Sequence, residues 1–242
     1  MSGFIEFGGD DGTPEPFSGG KSNRFKAKEG ESYRVSFAWW PDDDGEEGFN
    51  MDAVKPRFVG GHRHYIAGVG YVLNKGAEYT KLAGGDAPKM AIATVLVVWP
   101  TDAQGRPDKA RINAGDVTVQ PWVFSESKYN ALQPTHREFH LGNHDLTITC
   151  SDTQYQKLTF SPCKENLLRK LGESKKGKGK DVYDSIMAQV TNISAGLNSD
   201  IARDLTLDQI REKLGQSANA PAEFDLSGDD EVDDMIDDIL DA

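Results

Sequence analysis

The chain has 242 residues, 27 Lys and Arg against 39 Asp and Glu, and a formal net charge of −12. That length fits one large domain with tails or two small domains, and a mean hydropathy of −0.57 with 25 glycines assigns much of it to polar or loop structure. No apolar run reaches the ~18 residues of a membrane span, residues 1–11 lack the basic start and apolar core of a secretory signal, and two cysteines make no disulfide framework, so a reduced, cytosolic protein is expected.

The charge is unevenly placed. Residues 221–242 hold ten acidic side chains and no Lys or Arg, whereas residues 55–180 hold 19 Lys and Arg against 11 Asp and Glu. A basic body can face a polyanion, and an acidic end can imitate one.

In chain order, residues 1–24 are rich in Gly, Asp, Ser and Pro and are expected to form a flexible arm. Its end, Lys21-Ser-Asn-Arg-Phe-Lys-Ala-Lys28, either is a solvated linker or contacts a neighbouring subunit or a phosphate. Tyr33, Val35, Phe37 and Trp39 alternate, which predicts a first strand. The acidic loop Asp42-Asp-Asp-Gly-Glu-Glu47 lacks the glycine and ligand spacing of a calcium loop.

Residues 55–81 interleave Lys55, Arg57, Arg63, Lys75 and Lys81 with Tyr65 and Tyr71. Single-stranded nucleic acid needs this mixture: mobile cations for phosphates and flat faces for unpaired bases, at about 1–3 kcal/mol per stacked base. Tyr65, Ala67, Val69, Tyr71 and Leu73 share one strand face, so some of these rings belong to a core. His62 and His64 form a possible ligand pair, and His136, His140 and His144 recur every four residues. Gly142 and Asn143 interrupt the second set and no Cys/His spacing fits a zinc site, so no metal is expected.

Met90-Ala-Ile-Ala-Thr-Val-Leu-Val-Val-Trp99 is apolar on both faces and reads as a central, covered strand. The following run alternates, with Val117, Val119 and Val123 on one side and Thr118, Gln120, Trp122 and Phe124 on the other. Either a second layer buries those two aromatics or they stay exposed for stacking. Leu146, Ile148 and Cys150 alternate on a strand, and a second strand with Tyr155, Lys157 and Thr159 facing outward completes a hairpin. Cys150 and Cys163 flank that hairpin as small buried side chains.

A short helix is predicted over residues 164–171, ending at Gly172, and residues 173–180 read as a flexible basic linker. Val182, Ile186, Val190 and Ile193 form a helical stripe. Thr206 and Gln209 make a capping box that opens a helix over 207–214, stopped by Gly215. Residues 216–242 are expected to be a disordered acidic tail. Val232, Met235, Ile236, Ile239 and Leu240 recur there at helical spacing and could fold on a partner's surface, although like-charge repulsion would melt that helix alone.

The order of parts resembles the T-even phage type of helix-destabilising, single-stranded DNA-binding protein. The likeness rests on Val95-Leu-Val-Val98, Phe124-Ser-Glu-Ser-Lys-Tyr-Asn-Ala-Leu132, Asp145-Leu-Thr-Ile-Thr-Cys150, Leu207-Asp-Gln-Ile-Arg-Glu-Lys-Leu-Gly-Gln216 and the closing Asp237-Asp-Ile-Leu-Asp241. It implies coating of single strands in replication, recombination and repair, self-association on DNA, a setting in the cytoplasm of an infected bacterial host, and a tail that recruits replication or recombination proteins. The family's zinc-binding Cys/His subdomain is missing, so zinc does not carry over, and its basic N-terminal cooperativity motif is at most echoed by Lys21-Ser-Asn-Arg24.

The expected fold is mainly β: a five-stranded OB-like barrel with added helices over residues 25–215. Lys55, Arg57, Arg63, Lys75, Lys81, Lys89, Arg111, Lys128 and Lys157 are the candidates to track phosphates, and Tyr65, Tyr71, Trp122, Phe124, Tyr129 and Tyr155 to stack bases. The tail would compete with DNA for the groove. A rival reading is a phage transcription cofactor that binds single strands and recruits an RNA polymerase. No nucleophile–base order, paired carboxylates or phosphate loop supports an enzyme.

Overall fold

The computed structural model describes residues 24–38, 59–174 and 176–219. Expectations for residues 1–23, Trp39, the acidic loop, Lys55, Arg57 and residues 220–242 lie outside those residues, whereas residues 216–219, expected to open the disordered tail, are the end of a helix. The described residues form seven strands: β1 (Ser32–Phe37), β2 (Val59–Ile66), β3 (Gly70–Leu73), β4 (Lys89–Trp99), β5 (Thr118–Ser125), β6 (Leu146–Cys150) and β7 (Leu158–Pro162). The described residues also form six helices: α1 (Ala77–Leu82), α2 (Lys109–Asn113) and α3 (Glu126–Phe139) between strands, and α4 (Leu167–Gly172), α5 (Lys178–Ile201) and α6 (Leu207–Asn219) after β7.

The centre is β4, as its two-sided apolar run predicts. Every residue from Ala91 to Val97 is buried. One edge of β4 pairs with β5, from Ala91 opposite Ser125 to Val98 opposite Thr118. The other edge is divided: β2 takes Lys89–Ala93 and β1 takes Leu96–Trp99. From that division β2 leads to β3, and β1 leads to β6 and β7, all antiparallel. The described strands therefore form an open, branched antiparallel sheet, not the closed five-stranded barrel expected, and the fold is mixed α/β rather than mainly β. Helices cover both faces of the sheet.

Alternation along β4 sorts the core into two layers. Ala91, Ala93, Val95, Val97 and Trp99 face α5, meeting Val182, Ile186, Val190, Leu197 and Ile201. This is the stripe read from the sequence. The helix starts at Lys178, so part of the expected basic linker is its first turn. Helix α4 packs closely on α5 at Gly172, where an added Cβ would lie 3.0 Å from Tyr183 Cε2 and the ring would have to shift.

Ile92 and Leu96 face the other layer, with Val35, Phe37, Trp122, Phe124, Ile148 and Leu132 of α3. Phe25 and Ala27 complete it. The Phe25 amide donates to Pro121 O at 2.8 Å on the outer edge of β5, where proline's missing N–H costs no ladder bond.

A third, smaller cluster sits on the β2–β3 hairpin: Ile66, Val69 and Val72 against Tyr79 of α1 and Ile210 of α6. The hairpin turns between Ile66 and Gly70, so residues 65–73 are two paired strands and not one strand face. Beyond β3, Arg203 donates its amide to Tyr71 O at 2.9 Å and accepts from Leu73 N at 3.1 Å. That segment blunts an otherwise open edge. The capping box is complete, with Thr206 N to Gln209 Oε1 at 2.8 Å and Gln209 N to Thr206 Oγ1 at 3.3 Å. Gly215 does not stop α6, because it stays out of the left-handed region a terminating glycine adopts.

Asp145 ties the layers together. Its buried carboxylate accepts from Arg34 Nε at 2.9 Å, from Ser36 Oγ, and from Leu167 N at the start of α4. Ser36 Oγ in turn accepts from Trp99 Nε1 at 2.7 Å. Burial pushes this carboxyl up to about 6, against the pull of Ser36, Arg34 and the Leu167 amide.

Candidate nucleic-acid interface

The structure divides the expected stacking residues. Trp122 and Phe124 stand on the face of β5 that the sequence assigns them, but that face is the floor of the second layer. Trp122 is wholly buried and Phe124 is 3% exposed. Their ring centroids are 4.3 Å apart, and Phe25 meets Trp122 edge-on at 6.0 Å. Of the two alternatives, the second layer wins. Burial contributes about 1.5–3 kcal/mol per large ring whether or not a ligand is present, whereas a stack contributes a similar amount only in the complex.

Tyr155 is a second correction. The expected outward-facing strand begins only at Leu158. Before it lies a turn built on Asp152, whose Oδ1 accepts from Gln156 N and Lys157 N, each at 3.0 Å. In that turn Tyr155 takes φ 59, which swings its ring inward, where the hydroxyl accepts from Trp122 Nε1 at 2.8 Å. Lys128 Nζ sits 5.1 Å from the ring centroid. Tyr129, in the first turns of α3, is half-buried against the same layer.

The expected phosphate contacts divide too. Lys75 pairs with Asp204, Lys81 with Glu78 at 2.7 Å, and Arg111 with Asp116 at 2.6 Å. Lys81 holds the Glu78 carboxyl below its ordinary value. Arg63 is 8% exposed and reaches inward. Lys89 and Lys157 are exposed, and Lys128 is half-buried.

What the fold does bring together is one corner of the sheet, on the side of α5. Tyr65 and Tyr71 are register partners on the β2–β3 hairpin, with ring centroids 5.4 Å apart and planes at 65°. Both rings are half-buried. The Arg63 guanidinium lies over the Tyr71 ring, 3.8 Å from its centroid. Its Nη1 donates 2.9 Å to the carbonyl of Ile201, the last residue of α5. Lys89 stands opposite Arg63 across the β2–β4 ladder, so their side chains share a face.

The buried arginine has a reason. Helix α5 is 24 residues long and has no basic residue in its last turn. Its C-terminal carbonyls carry partial negative charge and need donors, and β2 supplies Arg63 across the chain. Sequence reasoning placed Arg63 among the phosphate contacts. The available signal was the long helical stripe ending with no cation of its own.

Among the described residues no group of three or more His, Cys, Asp or Glu is placed to hold a metal ion. His64 is buried, with Nε2 3.2 Å from Thr80 Oγ1, and His144 Nδ1 lies 2.8 Å from Cys163 O. No described helix is long and apolar enough to cross a membrane. No family model, curated protein or solved structure matches the chain.

Proposed function

We propose that the chain binds single-stranded DNA at the β2–β3–β4 corner, through Tyr65 and Lys89, and that its acidic C-terminal segment competes with DNA and recruits partner proteins. The observation that carries the reading is the Tyr65–Tyr71 pair, held on one side by Arg63, with Lys89 across the ladder. It combines a partly open aromatic face with a cation beside it, the pairing that unpaired bases and their phosphates require. The charge split between residues 55–180 and residues 221–242 supplies attraction to a polyanion and a built-in rival for it.

The interface is smaller than the sequence implies. Trp122, Phe124 and Tyr155 serve the core, while Lys75, Lys81 and Arg111 are engaged by carboxylates. Roles in replication, recombination or repair, self-association on DNA and a phage-infected host follow only from the likeness of motifs. The reading does not depend on barrel closure.

The experiment is fluorescence anisotropy of a labelled dT oligomer and of a labelled duplex of equal length, titrated with the full chain at low and high salt. The single strand binds more tightly, and its affinity falls with a log–log slope of about −0.7 for each phosphate neutralised. Equal affinity for the duplex, or no binding of either, rejects the proposal.

A further inference from the structure

We infer that Arg63 is a positioning residue that acts through Tyr71 to set the Tyr65 ring for a single unpaired base, and that it touches no phosphate. This rests on the single-strand-binding reading above and specifies how that site is built.

Three observations point the same way. Arg63 is 8% exposed, and its guanidinium is committed on two sides: its Cζ lies over the Tyr71 ring 3.8 Å from the centroid, and its Nη1 donates to the Ile201 carbonyl at 2.9 Å. A phosphate reaching it would have to displace a stack and a C-terminal helix contact. Tyr71 is consequently unable to sandwich a base on the face that Arg63 covers, and it packs toward the α5 layer. Tyr65 meets Tyr71 at 65°, so the Tyr71 ring braces Tyr65 and restricts its rotation. Order thus passes from the end of α5 to Arg63, to Tyr71, to Tyr65. A ring already fixed loses less entropy when a base stacks on it, and that is where the affinity gain arises. Lys89, exposed on the same face, is the phosphate contact of this corner.

The chemistry predicts a dissociation between affinity and salt dependence. Arg63→Lys keeps the charge and a donor for Ile201 but loses the flat guanidinium that covers Tyr71. It binds a dT oligomer on the order of tenfold more weakly, with an unchanged salt slope. Lys89→Gln lowers the slope by about 0.7. Tyr65→Leu matches the loss of Arg63→Lys. The double variant binds no more weakly than Tyr65→Leu alone, since the arginine acts only through that ring. If Arg63→Lys does not fold, Tyr71→Leu breaks the same chain and leaves the Ile201 contact in place; it reproduces the Tyr65→Leu loss. The inference is overturned if Arg63→Gln, which removes the charge, lowers the slope by about 0.7, if Arg63→Lys or Tyr71→Leu binds like the wild type, or if the two losses multiply in the double variant. A wild-type chain that binds no dT overturns the function and this inference together. A wild-type chain that binds while Arg63→Lys is indistinguishable from it overturns this inference alone.

Discussion

The indole Nε1 of Trp122 donates a 2.8 Å hydrogen bond to the hydroxyl of Tyr155, and both side chains are buried. The pair joins the middle of β5 to the turn before β7. Removing the acceptor strands a buried donor, which costs about 1–3 kcal/mol. Tyr155→Phe is therefore expected to lose that much in urea unfolding while dT affinity stays within a factor of two. Lost affinity with unchanged stability would return Tyr155 to the binding surface.

Asp145 gives the fold a pH dependence of unusual sign. Burial pushes its carboxyl up to about 6, above the 3.8 of a free side chain. Between those values the folded state holds the proton more tightly than the unfolded state. The group's contribution to stability is thus full below about pH 4 and is lost as pH rises through 6. Surface carboxyls such as Glu78 and Glu165, held low by Lys81 and Lys170, slope the other way. Comparison with Asp145→Asn isolates the buried group. The wild-type minus variant difference in unfolding free energy should fall by about 2–3 kcal/mol from pH 4 to 7. A difference that stays constant over that window contradicts the assignment.

Exposed and ion-paired cations should separate in a salt titration. Lys89→Gln, in the proposed corner, is expected to lower the dT-binding slope by about 0.7. Arg111→Gln should lower it by less, because Asp116 already engages that guanidinium at 2.6 Å. Slopes from competition-free anisotropy at four or more salt concentrations decide between them. A larger effect at Arg111 would move the DNA path to α2.

The capping box at α6 offers a test of the fold independent of binding. Thr206→Ala removes the Oγ1 acceptor for Gln209 N. It should cost about 1 kcal/mol, read by thermal or urea unfolding. The hairpin cluster containing Ile66, Val72 and Ile210 loosens with it.

The sequence made the local elements legible, and tertiary placement was where it ran out. The two-sided burial of β4, the α5 stripe and the α6 capping box each follow from a pattern within one segment. The faces of β5 were legible too, with Trp122 and Phe124 opposite Val119 and Val123. Their exposure was not, because it depends on Phe25 and Tyr155 arriving from distant segments and on the following helix folding Leu132 back over them. Tyr155 misled because its turn precedes the strand, and a left-handed residue breaks the alternation rule. Helix α3 carries little apolar stripe and an internal Pro134, so it reads weakly as a helix. Arg63 looked like a surface cation because nothing nearby in sequence reveals the helix end 138 residues downstream that it reaches.

Deleting residues 221–242 addresses the central claim, that a cationic corner of the sheet takes single strands and the acidic segment rivals them. Anisotropy of a labelled dT oligomer is the direct measure. The truncated chain should bind more tightly than the full chain at low salt, with the gap closing as salt screens both interactions. Equal affinity for dT at low salt, with and without those residues, would contradict it.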